Sequence, residues 1–406
     1  MAVGLISLPP LSPVPGVRLG TACAGIKKPG RRDLVVIELC EGASCVAVFT
    51  RNAFCAAPVV VAKRHLAKAV PRYLLINTGN ANAGTGERGM QDAEACCEAL
   101  AASAKVVSHQ VLPFSTGVIG EPLPVTTLIT ALPAAHGALT AEGWADAAHG
   151  IMTTDTVAKG VSRQIEIAGQ AITVTGIAKG AGMIRPDMAT MLAFIATDAK
   201  VAAPLLQQCL NTAAQASFNC ITIDGDTSTN DACVLMATGR SALPEIVSVE
   251  SPALASLSQA ITEVCVALAQ AIVRDGEGAT KFITIEVRGG ADEEECRRAA
   301  YAVAHSPLVK TAFFASDPNW GRILAAVGRA GITNLDVARV KIFLDEVCIV
   351  ANGGRAHDYE EKQGREVMAR QEITVRIELG RGNHQAQLWT CDFSYDYVRI
   401  NAEYRT

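Results

Sequence analysis

The stretch KGAGMIRPDMATMLAF, residues 179–194, is the most informative part of this chain. A loop of glycine and small residues leads into MLAFIATDA, an apolar run typical of a β-strand buried on both faces. Thr190 is the hydroxyl residue at the start of that run, Ala189 adds no bulk before it, and Pro186 stiffens the approach. The pattern therefore predicts a hydroxyl at the mouth of a buried strand, directly after a peptide bond in a tight loop.

A hydroxyl in that position can open the peptide bond that precedes it. Attack of the Thr190 oxygen on the carbonyl of Ala189 gives an ester, and hydrolysis of the ester frees Thr190 as a new N-terminus. A free α-amine has an ordinary pKa of about 8, so it can serve as the base that a threonine hydroxyl needs. Nucleophile and base then share one residue. Spacing alone, however, favours a simpler interpretation, in which Thr190 is a β-branched residue that opens a strand.

Composition indicates a soluble globular enzyme. The chain has 406 residues, of which 50% are hydrophobic and 19% charged, enough for two packed lobes. A formal net charge of −4 argues against a nucleic-acid partner. The sequence has no uninterrupted run of 18 apolar residues, so it predicts no membrane span. The N-terminal stretch lacks the basic region of a signal peptide. The thirteen scattered cysteines, with no Cys-x-x-Cys, are typical of thiols in a reducing cytoplasm, where we expect this protein.

The alternation of short strands and helices predicts an α/β (α+β) fold, layered helix–sheet–sheet–helix, although a three-layer fold stays open. We expect a strand pair across residues 33–49 that turns at Glu41-Gly42, and a hairpin in IEIAGQAITVTGI, residues 165–177. A single strand is expected at 340–350. Gly84 to Gly89 match G-x-G-x-x-G, but no acidic residue follows at the required place, so we interpret them as a turn.

Many separate blocks, in order along the chain, resemble the ornithine acetyltransferase family, also called the glutamate N-acetyltransferase or arginine-biosynthesis bifunctional family. Besides KGAGMIRPDMATMLAF they are AGIKKPGRRDL, VFTRNAFCAAPV, NTGNANAGTG, PFSTGVIGEPLP, IMTTDT, DGDTSTND, DGEGATKF, SDPNWGRILAAVGRAG and DYVRINAEYRT. Asp187 stands where the family often has asparagine, which bears on the rate of cleavage and not on the nucleophile.

The resemblance implies a self-cleaving acetyltransferase. The chain would break between Ala189 and Thr190 into an α chain, 1–189, and a β chain, 190–406, two of each forming the assembly. Thr190 would take acetyl from N2-acetylornithine as a covalent ester, release ornithine and pass the acetyl group to glutamate. No metal or organic cofactor is implied. Some family members also use acetyl-coenzyme A as a co-substrate, and the sequence does not decide whether this chain does.

Site roles are implied in the same way. Thr116 and Gly117 match the oxyanion-hole pair, although by themselves residues 115–117 form an ordinary turn. The substrate-binding set corresponds to Thr153 (with Thr154 as the neighbouring alternative), Lys179, Thr190, Glu277, Asn401 and Thr406. Lys179 suits an α-carboxylate and Glu277 suits the amine of ornithine. Without the resemblance, Lys179 and Glu277 would be solvated surface charges and Thr406 a frayed tail.

Two other functions remain open from the residues. An N-terminal-nucleophile aminopeptidase or amidohydrolase of related architecture would pass the acyl group of Thr190 to water. A binding or scaffold protein would keep the fold without cleavage. The aspartates of DGDTSTND lack the glycine and closing glutamate of a calcium loop at the expected places, which argues against a calcium site. The resemblance implies that this block is part of the site wall.

Overall fold

The computed structural model describes residues 2–27, 29–185 and 191–403, which form two compact units. The larger unit comprises Ser7–Asn219 and Asp226–Ile272. The smaller unit comprises Met1–Ile6, Cys220–Gly225 and Val273–Thr406. These boundaries concern packing and do not test the division at 189/190, which stays a prediction.

Two β-sheets form the centre of the larger unit. The four-stranded sheet has the order β1-β2-β4-β5 and the five-stranded sheet the order β3-β9-β8-β7-β6. The strands are β1 (Val17–Ala22), β2 (Leu34–Leu39), β3 (Ser44–Phe49), β4 (Tyr73–Asn80), β5 (Val111–Val118), β6 (Lys159–Ile167), β7 (Gln170–Lys179), β8 (Leu192–Thr197) and β9 (Ala232–Ala237). Both sheets mix parallel and antiparallel pairs, since β4 lies parallel to β5 and β8 parallel to β9.

Helices pack against this sandwich, on both outer faces and beside the cluster between the sheets. They are α1 (Ala57–Leu66), α2 (Gly86–Ala104), α3 (Val125–Gly137), α4 (Trp144–Gly150), α5 (Ala203–Ala216) and α6 (Pro252–Arg274). One hydrophobic cluster joins the inner faces of the sheets, where the rings of Phe114 and Phe194 meet edge to face at 5.2 Å. Apolar side chains of α2 and α3 pack on the outside of the four-stranded sheet. Gly176 of β7 lies against Val264 and Leu268 of α6 on the other side. The predicted helix–sheet–sheet–helix layering is confirmed.

Local sequence patterns predicted some strand pairs and missed others. All six residues of β8 are buried, as its uniform apolarity predicted. The hairpin of β6 and β7 is also confirmed, with Ala168 and Gly169 at positive φ in its turn. The pairing expected across residues 33–49 is wrong, because β2 pairs with β1 and β4 while β3 crosses to the other sheet and pairs with β9.

The smaller unit is built on a six-stranded sheet in the order β13-β12-β11-β14-β10-β15. Its strands are β10 (Phe282–Gly290), β11 (Lys341–Leu344), β12 (Val347–Ala351), β13 (Gly354–Arg355), β14 (Glu372–Glu378) and β15 (His384–Cys391). Its helices are α7 (Glu293–Ala304), α8 (Pro307–Phe314), α9 (Trp320–Gly328), α10 (Glu361–Met368) and α11 (Tyr395–Ala402). The single strand predicted at 340–350 is instead the β11–β12 hairpin, because Asp345 adopts φ 48° and reverses the chain.

Two features bear on the environment of the protein. Among the described residues one helix, α6, is long and apolar enough to cross a bilayer, and 56% of its most apolar 18-residue window is buried inside the molecule. A buried core helix passes the same test, so this is weak evidence for a span. All thirteen cysteines fall within the described residues, and all are free thiols.

Candidate active site

Two of the predicted site residues meet in the interior of the larger unit, one from each sheet. Lys179 is the last residue of β7 and pairs with Leu192, the first residue of β8. Its Nζ donates a hydrogen bond to Oγ1 of Thr116, on β5 of the opposite sheet, at 3.3 Å. Lys179 is only 9% exposed, so its interpretation as a solvated surface charge is wrong.

The backbone at Gly117 explains why glycine follows Thr116. Residues 115–117 lie within β5 and not in a turn or loop, which corrects the sequence-based expectation. Asn80 of β4 pairs with both Thr116 and Val118, so the ladder is irregular at Gly117. Gly117 has φ 137°, and a Cβ there would lie 2.3 Å from the carbonyl carbon of Gly79. Only glycine fits this position. The strand is therefore locally distorted beside the hydroxyl of Thr116.

A buried carboxylate connects two further parts of the site. Oδ2 of Asp155 accepts a hydrogen bond from the backbone N–H of Thr153 at 2.9 Å. Oδ1 accepts from Nζ of Lys159 at 2.6 Å and from the N–H of Gly180, next to Lys179, at 2.7 Å. The structure therefore brings the predicted binding residue Thr153 close to the end of β7.

Opposing effects set the ionisation of Asp155. Burial alone would raise the pKa of this carboxyl, but the charges of Lys159 and Lys179 outweigh burial and hold the pKa well below its ordinary value. Hydrogen bonds from the two groups at Oδ1 act in the same direction. Asp155 is therefore an ionised group in the folded protein at neutral pH.

The block DGDTSTND forms one wall of the same region, as the sequence suggested. Nδ2 of Asn230 donates to the carbonyl of Ala81 at 2.6 Å and to that of Ser115 at 2.9 Å, which ties this wall to β5. The neighbouring Asp231 is 3% exposed, and its Oδ2 has no hydrogen-bond partner in the described structure. Burial raises the pKa of Asp231 well above its ordinary value, against a hydrogen bond from Ser228 and the charge of Lys179.

These groups surround a cavity of about 30 Å³, room for about two water molecules. Its lining residues are Thr116, Lys179, Gly182, Met183, Ile184, Met191, Leu192, Ser228, Asn230 and Asp231. The carbonyl of Met191 accepts a hydrogen bond from the N–H of Ala232 at 2.9 Å, which anchors the start of β8 against β9. Ala189 and the predicted nucleophile Thr190 lie outside the described residues, and so does Thr406.

The smaller unit holds the other predicted pair. Nδ2 of Asn401 on α11 donates to Oε2 of Glu277 at 2.8 Å and to the carbonyl of Tyr397 at 3.0 Å. Glu277 is 7% exposed and is not the solvated surface charge of the alternative interpretation. Sequence separates these two residues widely, and the fold of the smaller unit brings them together.

The loop that carries Glu277 is fastened by the end of β15 and the residues after it. Oδ1 of Asp392 accepts from the N–H groups of Thr280 and Lys281 at 2.8 and 2.9 Å, and Oδ2 accepts from the Thr280 hydroxyl at 2.5 Å. The hydroxyl of Ser394 donates to the carbonyl of Gly278 at 2.6 Å. Sequence analysis did not single out Asp155, Asp392 or Ser394, because no local signal distinguishes a buried carboxylate or hydroxyl from a surface one.

No group of three or more histidine, cysteine, aspartate or glutamate side chains is placed to hold a metal ion among the described residues. The expectation that no cofactor is needed stays a prediction. The described residues place the ammonium of Lys179, the hydroxyl of Thr116 and the carboxyl of Asp231 around one small cavity. The pKa of Asp231 is shifted in the opposite direction from that of Asp155, which does not line the cavity.

Comparison with known proteins gives the same family over the whole chain. Residues 18–406 match the ArgJ family. The chain is 61% identical over 406 residues to an arginine biosynthesis bifunctional protein ArgJ of Pseudomonas fluorescens, covering 100% of both chains. It is 61% identical over 396 residues to the protein of that name from Methylococcus capsulatus, covering 98% of this chain and 97% of that one.

A solved structure agrees with these relatives. The crystal structure of an arginine biosynthesis bifunctional protein ArgJ from Bacillus halodurans is 37% identical in sequence, with a TM-score of 0.50. It matches 52% of this chain and 99% of the solved chain. On the extent of these matches, the chain belongs to the ArgJ family.

Proposed function

We propose that this enzyme transfers acetyl from N2-acetylornithine to glutamate through an acetyl ester on Thr190, after cleaving itself between Ala189 and Thr190. The acetyltransferase class and its place in arginine biosynthesis follow from membership of the ArgJ family. Family membership also favours acetyl transfer over the hydrolase and scaffold alternatives. The self-cleavage, the α chain 1–189, the β chain 190–406 and the covalent ester are our proposals.

The observation that carries the proposal is the contact between Lys179 and Thr116 over the cavity that Met191 lines. Met191 directly follows Thr190 in the sequence. A hydroxyl and an ammonium beside one cavity suit an oxyanion and a carboxylate, the two negative charges of an acyl transfer between amino acids. We assign Thr116 and Gly117 to the oxyanion, and Lys179 with Thr153 to the α-carboxylate.

We assign the pair of Glu277 and Asn401 to the amine of ornithine, because a carboxylate held by an amide presents charge that an ammonium recognises. Thr406 completes the proposed binding set as the C-terminal residue. No cofactor takes part in this mechanism. We further propose an assembly of two α and two β chains, located in the cytoplasm.

The central test is Thr190→Ala, which removes the attacking oxygen. We expect a single uncut chain without acetyltransferase activity, measured by intact mass spectrometry and by formation of acetylglutamate. Thr190→Ser is the matched control, since it keeps a hydroxyl and should still yield two fragments. Fragments that begin at residue 190 in the alanine variant would rule out Thr190 as the group that opens the bond.

A second reaction is supported by the word bifunctional in the names of the relatives. We propose that acetyl-coenzyme A also loads Thr190, so that the enzyme acetylates glutamate without acetylornithine. Purified enzyme given acetyl-coenzyme A and glutamate should then form acetylglutamate, whereas Thr190→Ala should not. Activity confined to acetylornithine would show a monofunctional enzyme.

A further inference from the structure

Asp231 is a carboxyl group whose role in the cavity is not explained by the assignments above. It precedes β9, and the parallel register of Leu192 with Ala232 places it opposite Met191. It is 3% exposed and lines the cavity with Lys179 and Thr116, while its Oδ2 is buried without a hydrogen-bond partner among the described residues. A buried polar atom without a partner costs free energy, so a group that binds in the cavity is its natural partner.

The proposed reaction requires proton transfer at two atoms, the leaving nitrogen and the Thr190 oxygen, and such a group can serve one of them. When the acetyl C–N bond of acetylornithine breaks, the departing nitrogen must gain a proton. The α-amine of Thr190, which takes the proton of its own hydroxyl, can serve the leaving nitrogen and the Thr190 oxygen only in turn. With a second acid–base group, the α-amine of Thr190 would exchange protons only with the Thr190 oxygen, and the second group only with the substrate nitrogen.

The environment of Asp231 suits that task. Two buried carboxyl groups lie in the field of Lys179, and their pKa values are shifted in opposite directions. Asp155 is ionised by its neighbours, whereas burial favours the protonated form of Asp231. Carboxyl pairs whose environments separate their pKa values divide the acid and charge-stabilising roles between them.

We propose that Asp231 is a second acid–base group of the acetyl transfer. It gives its proton to the leaving nitrogen of acetylornithine as the C–N bond breaks and the bond from acetyl carbon to Thr190 Oγ forms. The resulting carboxylate takes one proton from the amine of glutamate as that nitrogen attacks the ester. The C–O bond then breaks, Thr190 Oγ regains its proton from the Thr190 ammonium, and Asp231 ends protonated as it began. This inference rests on the proposed function.

The test compares two acetyl donors in Asp231→Asn. Acetylornithine must lose an amine, which needs a proton, whereas p-nitrophenyl acetate loses a stabilised phenolate, which does not. We expect kcat/KM for acetylornithine to fall by about 10²- to 10⁴-fold. The burst of nitrophenolate that reports acetylation of the enzyme should change by no more than about threefold. A structural role would lower both rates together, so parallel losses, or no loss with acetylornithine, would overturn the proposal.

Asp198→Asn is the matched control. Asp198 is also a buried carboxyl of the larger unit, and burial raises its pKa too, but it binds the N–H of Thr173 and does not line the cavity. This variant should keep the wild-type ratio of the two donor rates. Thr190→Ala distinguishes a failure of the proposed function from a failure of the role of Asp231. If the nitrophenolate burst persists in this variant, Thr190 is not the nucleophile, whatever the role of Asp231.

Should Asp231→Asn fail to fold, the wild-type enzyme supplies the test. Acetylation by acetylornithine should slow as rising pH removes the Asp231 proton, whereas the p-nitrophenyl acetate burst should lack that alkaline decline. Lys179 and Cys55 are the charged and titratable groups that interact with Asp231. Because Lys179 is also our proposed partner for the α-carboxylate, which p-nitrophenyl acetate lacks, the acetylation rates are compared at saturating acetylornithine, where a weakened carboxylate contact is overcome by substrate concentration. Superimposable pH profiles for the two donors would refute the role of Asp231.

Discussion

Gly117 shows how a single residue shapes the site through its backbone. At φ 137° it lies in the region that glycine favours, and an added Cβ would approach the backbone of Gly79 and Asn80 to 2.3 and 2.6 Å. We expect Gly117→Ala to lower the free energy of unfolding by about 2–4 kcal/mol, since backbone must move to relieve the overlap. Urea denaturation measures the change.

The control for this prediction is Gly137→Ala. Gly137 ends α3 without a positive φ, and the Cβ that alanine would add there has no neighbouring atom within 4 Å. Its substitution should leave stability unchanged or raise it by up to about 1 kcal/mol. Equal effects at both glycines would contradict the geometric explanation.

Asp155 is the residue whose charge the larger unit depends on most clearly. Its ion pair with Lys159 has side-chain exposures of 0% and 1%, so removing the carboxylate takes a counter-charge away from a buried ammonium. We expect Asp155→Asn to lower the free energy of unfolding by about 3–5 kcal/mol at neutral pH. Glu361→Gln, which breaks the exposed pair with Arg365, is the control and should change stability by less than about 1 kcal/mol.

The pH dependence of this difference follows from the direction of the shift. The pKa of Asp155 is lowered in the folded state, so its contribution is complete above the ordinary carboxyl pKa of about 4 and is lost as pH falls below that value. The stability gap between wild type and Asp155→Asn should therefore be constant from pH 7 to about pH 5 and then narrow. A gap that widens under acid would show that the charge pair is not its cause.

At the scale of elements, the loop that carries Glu277 depends on the residues after β15. Asp392 is fully buried and accepts hydrogen bonds from three donors of Thr280 and Lys281. We expect Asp392→Ala to lower the free energy of unfolding by about 2–5 kcal/mol, because these buried donors lose their acceptor. Asp396→Ala is the control, because Asp396 forms an exposed ion pair with Arg399. This substitution should change the free energy of unfolding by less than about 1 kcal/mol.

The same variant tests the link between this loop and binding. Because Glu277 is our proposed partner for the amine of ornithine, Asp392→Ala should raise KM for acetylornithine. The burst with p-nitrophenyl acetate, a donor without that amine, should be retained in the folded variant. An unchanged KM would show that the loop does not depend on Asp392 for its binding geometry.

Elements also show what sequence patterns can and cannot predict. The apolar run of β8 and the hairpin of β6 and β7 were predictable, because burial on both faces and a tight turn leave local signals. The partner of β3 was not, because β9 follows far along the chain and alternation does not identify a partner. The site follows the same rule: family motifs supplied Thr116 and Lys179, whereas the contact between them depends on how two sheets face each other.

For the whole molecule, the thirteen free cysteines predict a simple pattern of chemical reactivity. Cys23 is exposed, whereas eight of the thirteen are buried. Burial raises the pKa of Cys45, Cys96 and Cys265 to about 12, and the thiolate is the reactive form. Ellman's reagent should therefore titrate one fast thiol in the native protein and all thirteen after denaturation.

Single substitutions identify the fast thiol. Cys23→Ser should abolish the fast phase, and Cys265→Ser, which removes a buried thiol, should leave it intact. Several equally fast thiols in the native enzyme would contradict this prediction. They would show that partial burial does not protect the four half-buried cysteines, Cys40, Cys55, Cys220 and Cys348.

The hydrogen bond from Lys179 to Thr116 spans the interior between the two sheets, not far from the ring pair of Phe114 and Phe194. The thickness of that apolar layer therefore sets the distance between the Lys179 ammonium and the Thr116 hydroxyl. A smaller side chain at either aromatic position would let the sheets settle closer and misalign the ammonium with the hydroxyl, in addition to the stability that is lost when a buried ring is truncated. Interior positions that do not line the cavity are thus under chemical constraint as well as the demand for stability.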